Sequence, residues 1–410
     1  MKKIFLAFAF IFFIQAFSQK NIRKFSVDYN RNIETYFLAE ILSAEHRRNN
    51  KDFELYKIKE CSVYQPIVKK SIDKFVHLKD SKIAFATAEL NDVLLEKYGL
   101  GNDALMKSLL YHEEFPSNGW INEYKFEFSR LTREQNNEVT ILIKNYLSEL
   151  SKFYAQEKIG LFFNENKSFY QAAAKEYMKQ IPSGFTDAME QFYGEKFNSY
   201  TILISPIMMW PISDNEGRGI GADVTLKSGS KNIYEIASPF VKVERAGQFG
   251  YDNQFQARFL SIHEFGHSFV NKEVYKHPEK LQKFKDLFEK SELKQAMIKT
   301  GGYGDYQTCV AEHLVRLGEI ETAKIQKDFE RAKKLEDYHL KNNFIFLPQL
   351  QNKIKDYHSN RSKYKTFGDF VPELLNVFKD SNVEFINSKL KNQEVIIFRF
   401  IFISGNIVRI

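Results

Sequence analysis

The chain has 410 residues, with 59 lysines and arginines against 52 aspartates and glutamates and a formal net charge of +7. A hydrophobic fraction of 43% supplies a core and excludes general disorder. The basic residues are interspersed with acids rather than gathered into runs, which excludes a nucleic-acid tail, and no internal apolar run reaches the roughly 18–20 residues that a membrane-spanning helix needs.

In chain order, the first element is a leader. Residues 1–18 read MKKIFLAFAFIFFIQAFS: Lys2 and Lys3 precede an apolar stretch from Ile4 to Ile14, and Ala16-Phe17-Ser18 offers small residues before Gln19. That pattern is a secretory signal peptide. The mature chain is expected to begin near Gln19, secreted or periplasmic, with no stable membrane span after cleavage. Only Cys61 and Cys309 exist, so one disulfide is conceivable in an oxidising compartment but a disulfide scaffold is not.

Residues 19–197 read as a helical N-terminal region. Glu34 to His46 carries apolar residues at helical spacing, and Ile67 to Leu110 continues in that style. Gly99-Leu100-Gly101 and Pro116 to Gly119 interrupt it as turns. Thr132 with Gln135 forms a capping box that opens a helix through Tyr154.

The pattern changes near Ser199. Tyr200 to Ser205 is short and β-branched, and Pro206 ends it. Ser213 to Gly219 is a polar turn, and Ile220 to Leu226 with Ile233 to Ala237 reads as a hairpin. Helices then return. Asp252 or Asn253 can cap one running to about Asn271, a second follows Pro278, and Asp305 can cap a third from Tyr306 past Arg316. Asp369 and Pro372 are expected to open another. Val395 to Ile403 is expected to be a buried strand. The fold class predicted is α+β, mostly helical, with a small mixed sheet packed on a helix in a region over 198–385, the part that the resemblance given below makes zincin-like, followed by an apolar tail over 386–410.

The chemistry concentrates in residues 261–270, SIHEFGHSFV, which contain His263-Glu264-Phe265-Gly266-His267. Residues four apart on a helix differ by about 40° and stack one turn apart. Two imidazoles so placed can converge on one Zn²⁺, and the carboxylate of Glu264, beside the first of them, is placed to act as general base. Ile262, Phe265 and Phe269 fall on the opposite face and are expected to be buried. Gly266 suggests a close approach by another backbone, a substrate or a tightly packed side chain.

A catalytic zinc usually has three protein ligands. The third must lie elsewhere, because Ser-Phe-Val-Asn-Lys after His267 lacks the glycine and third histidine of a metzincin. Glu312, in Thr308-Cys-Val-Ala-Glu-His-Leu-Val-Arg316, is the chosen candidate, and Val310, Leu314 and Leu317 form that helix's core stripe. His313 is the rival ligand. An exposed i,i+4 ion pair between Glu312 and Arg316 is the bland alternative, worth about 0.3–0.5 kcal/mol; Arg316 could equally orient the ligand carboxylate. His277, His339 and His358 read as surface residues.

The HEFGHSFV helix followed by an AEHLVR helix resembles a family of secreted bacterial proteins of unknown function that are classed with the zincin metallopeptidases. The resemblance covers roughly residues 195–380. It implies a gluzincin-like fold with an edge strand that binds extended peptide, His263 and His267 as zinc ligands, Glu264 as general base and Glu312 as the downstream acid. For the group that steadies the oxyanion, Tyr303 and Tyr306 are the candidates. The expected function is a secreted zinc-dependent peptidase acting on a peptide or protein, with substrate adding to an edge strand near 200–205 or 220–225. The alternatives are a zinc-binding protein without turnover and an envelope interaction protein.

Overall fold

The computed structural model describes residues 24–122, 127–128, 131–212, 217–391, 401–403 and 406–408. The leader lies outside them, as does Val395–Phe400 of the expected C-terminal strand. Ile401–Ile403 pairs antiparallel with Asn406–Val408 in a separate ribbon.

Among the described residues the chain opens with β1 (Phe25–Asp28), the first strand of the main sheet, and nine α-helices: α1 (Arg31–Ser43), α2 (Lys51–Tyr64), α3 (Pro66–Phe75), α4 (Lys82–Tyr98), α5 (Asp103–Tyr111), α6 (Arg133–Gln156), α7 (Ile159–Glu165), α8 (Lys167–Gln180) and α9 (Phe185–Tyr193). Then follow β2 (Ser199–Ile204), β3 (Gly219–Thr225) and β4 (Lys231–Ala237). The remaining helices are α10 (Gln254–Tyr275), α11 (Pro278–Lys290), α12 (Leu293–Gly301), α13 (Tyr306–Ile325), α14 (Phe329–Lys341), α15 (Leu347–Ser359), α16 (Phe367–Lys379) and α17 (Val383–Lys391). The class is α+β, mostly helical, as the sequence predicts. None of the described helices is long and apolar enough to cross a membrane.

Several helices start where their caps dictate. Thr132 Oγ1 accepts from Gln135 N–H and Gln135 returns the bond, a complete capping box for α6. Asn253 caps α10 by accepting from Gln256 N–H, and Asp305 caps α13 by accepting from Thr308 N–H. The helix α10 runs one turn beyond the expected end at Asn271 because its apolar face continues through Val274, which is fully buried. One expectation fails: Asp369 does not cap α16. Thr366 does, with Asp369 closing its capping box, and Pro372 sits inside the helix.

The sheet order is β1-β2-β4-β3. β1 and β2 are parallel with Phe25 opposite Tyr200, β2 and β4 are parallel with Tyr200 opposite Ile233, and β3 returns antiparallel with Gly219 opposite Ala237. The expected hairpin is therefore β3–β4. Residues 199–204 are not an edge, however, because β1 and β4 flank β2 on both sides. That interior place suits Tyr200, Ile202 and Ile204, all buried. β3 is the outer strand on the site's side.

The helix α10 lies across β3 and β4 and packs against α13. Phe265 points into the sheet, its ring 5.3 Å from Tyr200 and 6.1 Å from Phe185. Burying such a side chain contributes roughly 1.5–3 kcal/mol. Glu34 of α1 ties the N-terminal helices to the sheet's C-terminal end: its carboxyl accepts from Tyr170 Oη at 2.8 Å and bonds to Ser205 Oγ. Cys61 and Cys309 are separate, buried, free thiols.

Candidate metal centre

One face of α10 presents His263 and His267 toward α13, which brings Glu312 up from below. The two Nε2 atoms lie 3.1 Å apart. Glu312 Oε1 is 3.5 Å from His267 Nε2 and Oε2 is 3.7 Å from His263 Nε2. Each of the three side chains offers a ligand atom within 4.8 Å of the others. Gly266 is what lets the helices close up: a Cβ there would meet Val315 Cγ1 of α13 at 3.1 Å. Of the readings for that glycine, a packed side chain from α13 is the one found.

Each ring has an outer partner on Nδ1. His263 Nδ1 lies 3.0 Å from Glu319 Oε1, and His267 Nδ1 lies 3.1 Å from Asn271 Oδ1. Asn271 Oδ1 suits a proton on His267 Nδ1, while His263 Nδ1 meets both an acceptor, Glu319 Oε1, and a donor, Arg316 Nη1 at 2.7 Å; the two Nε2 atoms face each other beside a carboxylate. Glu312 Oε2 is buried with no hydrogen-bond partner. Facing ring nitrogens and an orphaned carboxylate oxygen are costly in a buried site unless a cation lies among them. Two imidazoles and one carboxylate suit Zn²⁺.

The electrostatics agree. Burial drives His263 down to about 4, with Arg316 and His267 adding to the shift, so the ring stays neutral. Burial opposes ionisation of Glu312, but His267, His263 and Arg316 outweigh it and hold the carboxyl below its ordinary value. Glu264 behaves oppositely: burial, reinforced by Glu235 and Glu312, pushes it up to about 7.

Glu264 lies against the outer strand. A Cβ on Gly219 would stand 2.5 Å from its Oε1, and one on Gly221 would stand 2.7 Å from its backbone oxygen. Gly219 and Gly221 therefore form a cradle for this residue; the sequence signal is two glycines on one face of a strand, which the sequence reading divides between a turn ending at Gly219 and a strand beginning at Ile220.

Arg316 and Glu319 complete the surroundings. Arg316 Nη2 is 3.5 Å from Glu312 Oε2, and Nη1 is 2.8 Å from Glu319 Oε1 and 2.7 Å from His263 Nδ1. Guanidinium and imidazole thus share one carboxylate oxygen. Glu319 Oε2 is taken by His339 Nε2 at 2.9 Å. Burial opposes the charge on Glu319, yet Arg316 and His339 hold it well below the ordinary carboxylate range.

His339 is accordingly not a surface residue; it is fully buried, because Glu319 and the rings of Phe259 and Phe344 enclose it. His358 is exposed, as expected, and bonds Glu321 at 2.9 Å, and His277 pairs with Glu279 at 3.7 Å. His313, the rival ligand, points away: its Nδ1 donates to Cys309 O at 2.7 Å inside a box of Phe344, Phe346 and Phe378. Of the two tyrosines, burial raises the phenol of Tyr303, and the charges of Glu312, Arg316 and Glu264 act on it. Tyr306 instead holds its ring under the Lys285 ammonium, 5.9 Å away.

No curated protein and no solved structure matches the chain. Residues 125–377, which hold β2 to β4 and every residue of this centre, match the family described as Domain of unknown function (DUF4932), and the chain belongs to that family.

Proposed function

We propose that the protein is an exported zinc-dependent peptidase. The observation that carries this reading is the convergence of His263, His267 and Glu312, whose ligand atoms lie within 4.8 Å of one another. A bound zinc would supply Lewis acidity toward a scissile carbonyl and toward water. His263, His267 and Glu312 would hold it. Glu264, adjacent in sequence to a ligand and raised to about 7, is suited to take the proton of the attacking water and to return it to the leaving amine. Tyr303, the nearer of the two tyrosines, is placed to donate to an oxyanion. An extended peptide would add to β3, the outer strand that cradles Glu264.

The test is metal analysis of the exported protein together with hydrolysis of a peptide library. One zinc per chain is expected, lost in His263→Ala and in His267→Ala. Glu264→Gln should keep the zinc and lose about 10²- to 10⁴-fold in hydrolysis. If Glu264→Gln cleaves as fast as wild type, the mechanism is wrong. A zinc-loaded wild type that cleaves nothing points instead to a binding protein.

A further inference from the structure

The following rests on the peptidase reading and concerns which peptides the site admits. In an outer strand, only alternate residues direct N–H and C=O away from the sheet. Thr225 shows which ones do so in β3. Its N–H donates to Tyr111 Oη at 2.7 Å, and its C=O accepts from Asn122 Nδ2 at 3.2 Å. On the inner side, Leu226 N–H donates to Ser230 O at 2.8 Å and Ser238 N–H to Arg218 O at 2.9 Å. Even-numbered residues therefore face β4, and Gly219, Gly221 and Asp223 turn their backbone groups outward in line with Thr225.

The helix α5 runs beside this edge. Its first residue, Asp103, pairs with Arg218 just ahead of β3. One turn on, Lys107 Nζ lies 3.0 Å from Asp223 Oδ1. Its last residue is Tyr111, at Thr225. The edge thus has an open end, where Gly221 is exposed and Glu264 lies against the strand, and an occupied end, where both outward groups of Thr225 are bonded to side chains.

We propose that Tyr111 and Asn122 close the peptide-binding edge of β3, so that the substrates are short peptides with a free end on that side of the cut bond. An added strand is held by the main-chain groups of its partner. At Thr225 those groups are already taken, and the Tyr111 ring stands where the next substrate residues would pass. Thr225 lies four residues beyond Gly221, or about 13 Å along a strand. Up to about four substrate residues fit between the scissile bond and the closure. A longer chain must displace both side chains or leave the sheet.

The experiment is a length series on the zinc-loaded full chain. Peptides share one cleaved core and are extended residue by residue at one end or the other; kcat/KM is measured with wild type, and affinity is measured by fluorescence anisotropy with Glu264→Gln. Both should fall by about tenfold or more once one particular end passes about four residues, whereas extension at the other end is tolerated. Tyr111→Ala combined with Asn122→Ala should raise the long-to-short ratio by about tenfold. Should that variant fail to fold, Tyr111→Leu with Asn122→Ala keeps apolar bulk at residue 111, removes the ring, frees both groups of Thr225 and should move the ratio the same way. Equal rates and affinities for long extensions at both ends overturn the closure while leaving the peptidase reading intact. Binding of the series without any cleavage sinks the peptidase reading alone, and no binding at all sinks both.

Discussion

Glu319 accepts hydrogen bonds from three cationic or N–H donors at once: His263, Arg316 and His339. It touches no ligand position itself, but it backs the outer nitrogen of the His263 ring. Replacing such a partner typically costs 10- to 100-fold in metal affinity. Glu319→Gln is therefore expected to weaken zinc binding by about that factor, read by chelator competition, while His339→Gln, one step further out, should cost less. Equal zinc affinity in Glu319→Gln and wild type would show that His263 is held by packing alone. Most of the centre was legible in the sequence, because His263, Glu264 and His267 lie on one helix, where spacing alone decides which residues share a face. Glu312, Arg316 and Glu319 follow the same rule at spacings of four and then three along α13. The stripe was read only as far as Arg316, so Glu319 was missed although the pattern could have given it. His339 could not be found this way: it reaches Glu319 from α14, and no periodicity connects side chains on different helices.

At the scale of elements, glycines report on the approach of neighbours. Gly318 of α13 faces Tyr193, whose hydroxyl occupies the space a Cβ would need, and the Tyr193 ring stacks on Phe269 of α10 at 4.2 Å. In an isolated helix, Gly→Ala gains about 1 kcal/mol. Here overpacking, typically costing 1–3 kcal/mol, opposes that gain. Gly318→Ala should lower stability by about 1 kcal/mol or more in chemical denaturation. A stabilised variant would mean that the Tyr193 ring can move aside. On the strand side, Gly219→Ala should leave zinc content near wild type and reduce hydrolysis, since its methyl group would meet the Glu264 carboxylate; unchanged hydrolysis would remove the cradle from the argument. Helix starts were legible through caps such as Thr132, Asn253 and Asp305, where a side chain satisfies a backbone donor three residues away. Strand order was not. The choice of β1 and β4 as the flanks of β2 depends on contacts distant in sequence, and an apolar run like Tyr200–Ser205 looks the same at a sheet's edge as in its interior.

Across the whole molecule, buried carboxyls set how stability responds to pH. Burial raises Glu34 to about 7 from an ordinary 4.5, even though Ser205, Tyr170 and the Ile207 N–H favour its charged form. Below pH 4.5 the group is protonated in both the folded and the unfolded chain. Between 4.5 and about 7 the unfolded chain loses its proton first, so stability falls as pH rises, by a total on the order of 3 kcal/mol for this group. Glu34→Gln should flatten this part of the profile, measured as urea midpoints from pH 4.5 to 7.5; an unchanged slope would show that Glu34 ionises freely in the fold. The same N-terminal segment begins with β1, whose Phe25 pairs with Tyr200. Every residue from α1 to α9 is made between those two partners. A chain emerging from its N-terminus must therefore carry an unpaired strand through the synthesis of about half its length, and the sheet can close only after that delay. Contacts of such sequence separation slow folding, and strand edges left open meanwhile invite pairing with other chains. This architecture thus makes the nascent protein dependent on whatever keeps it dispersed until β2 arrives.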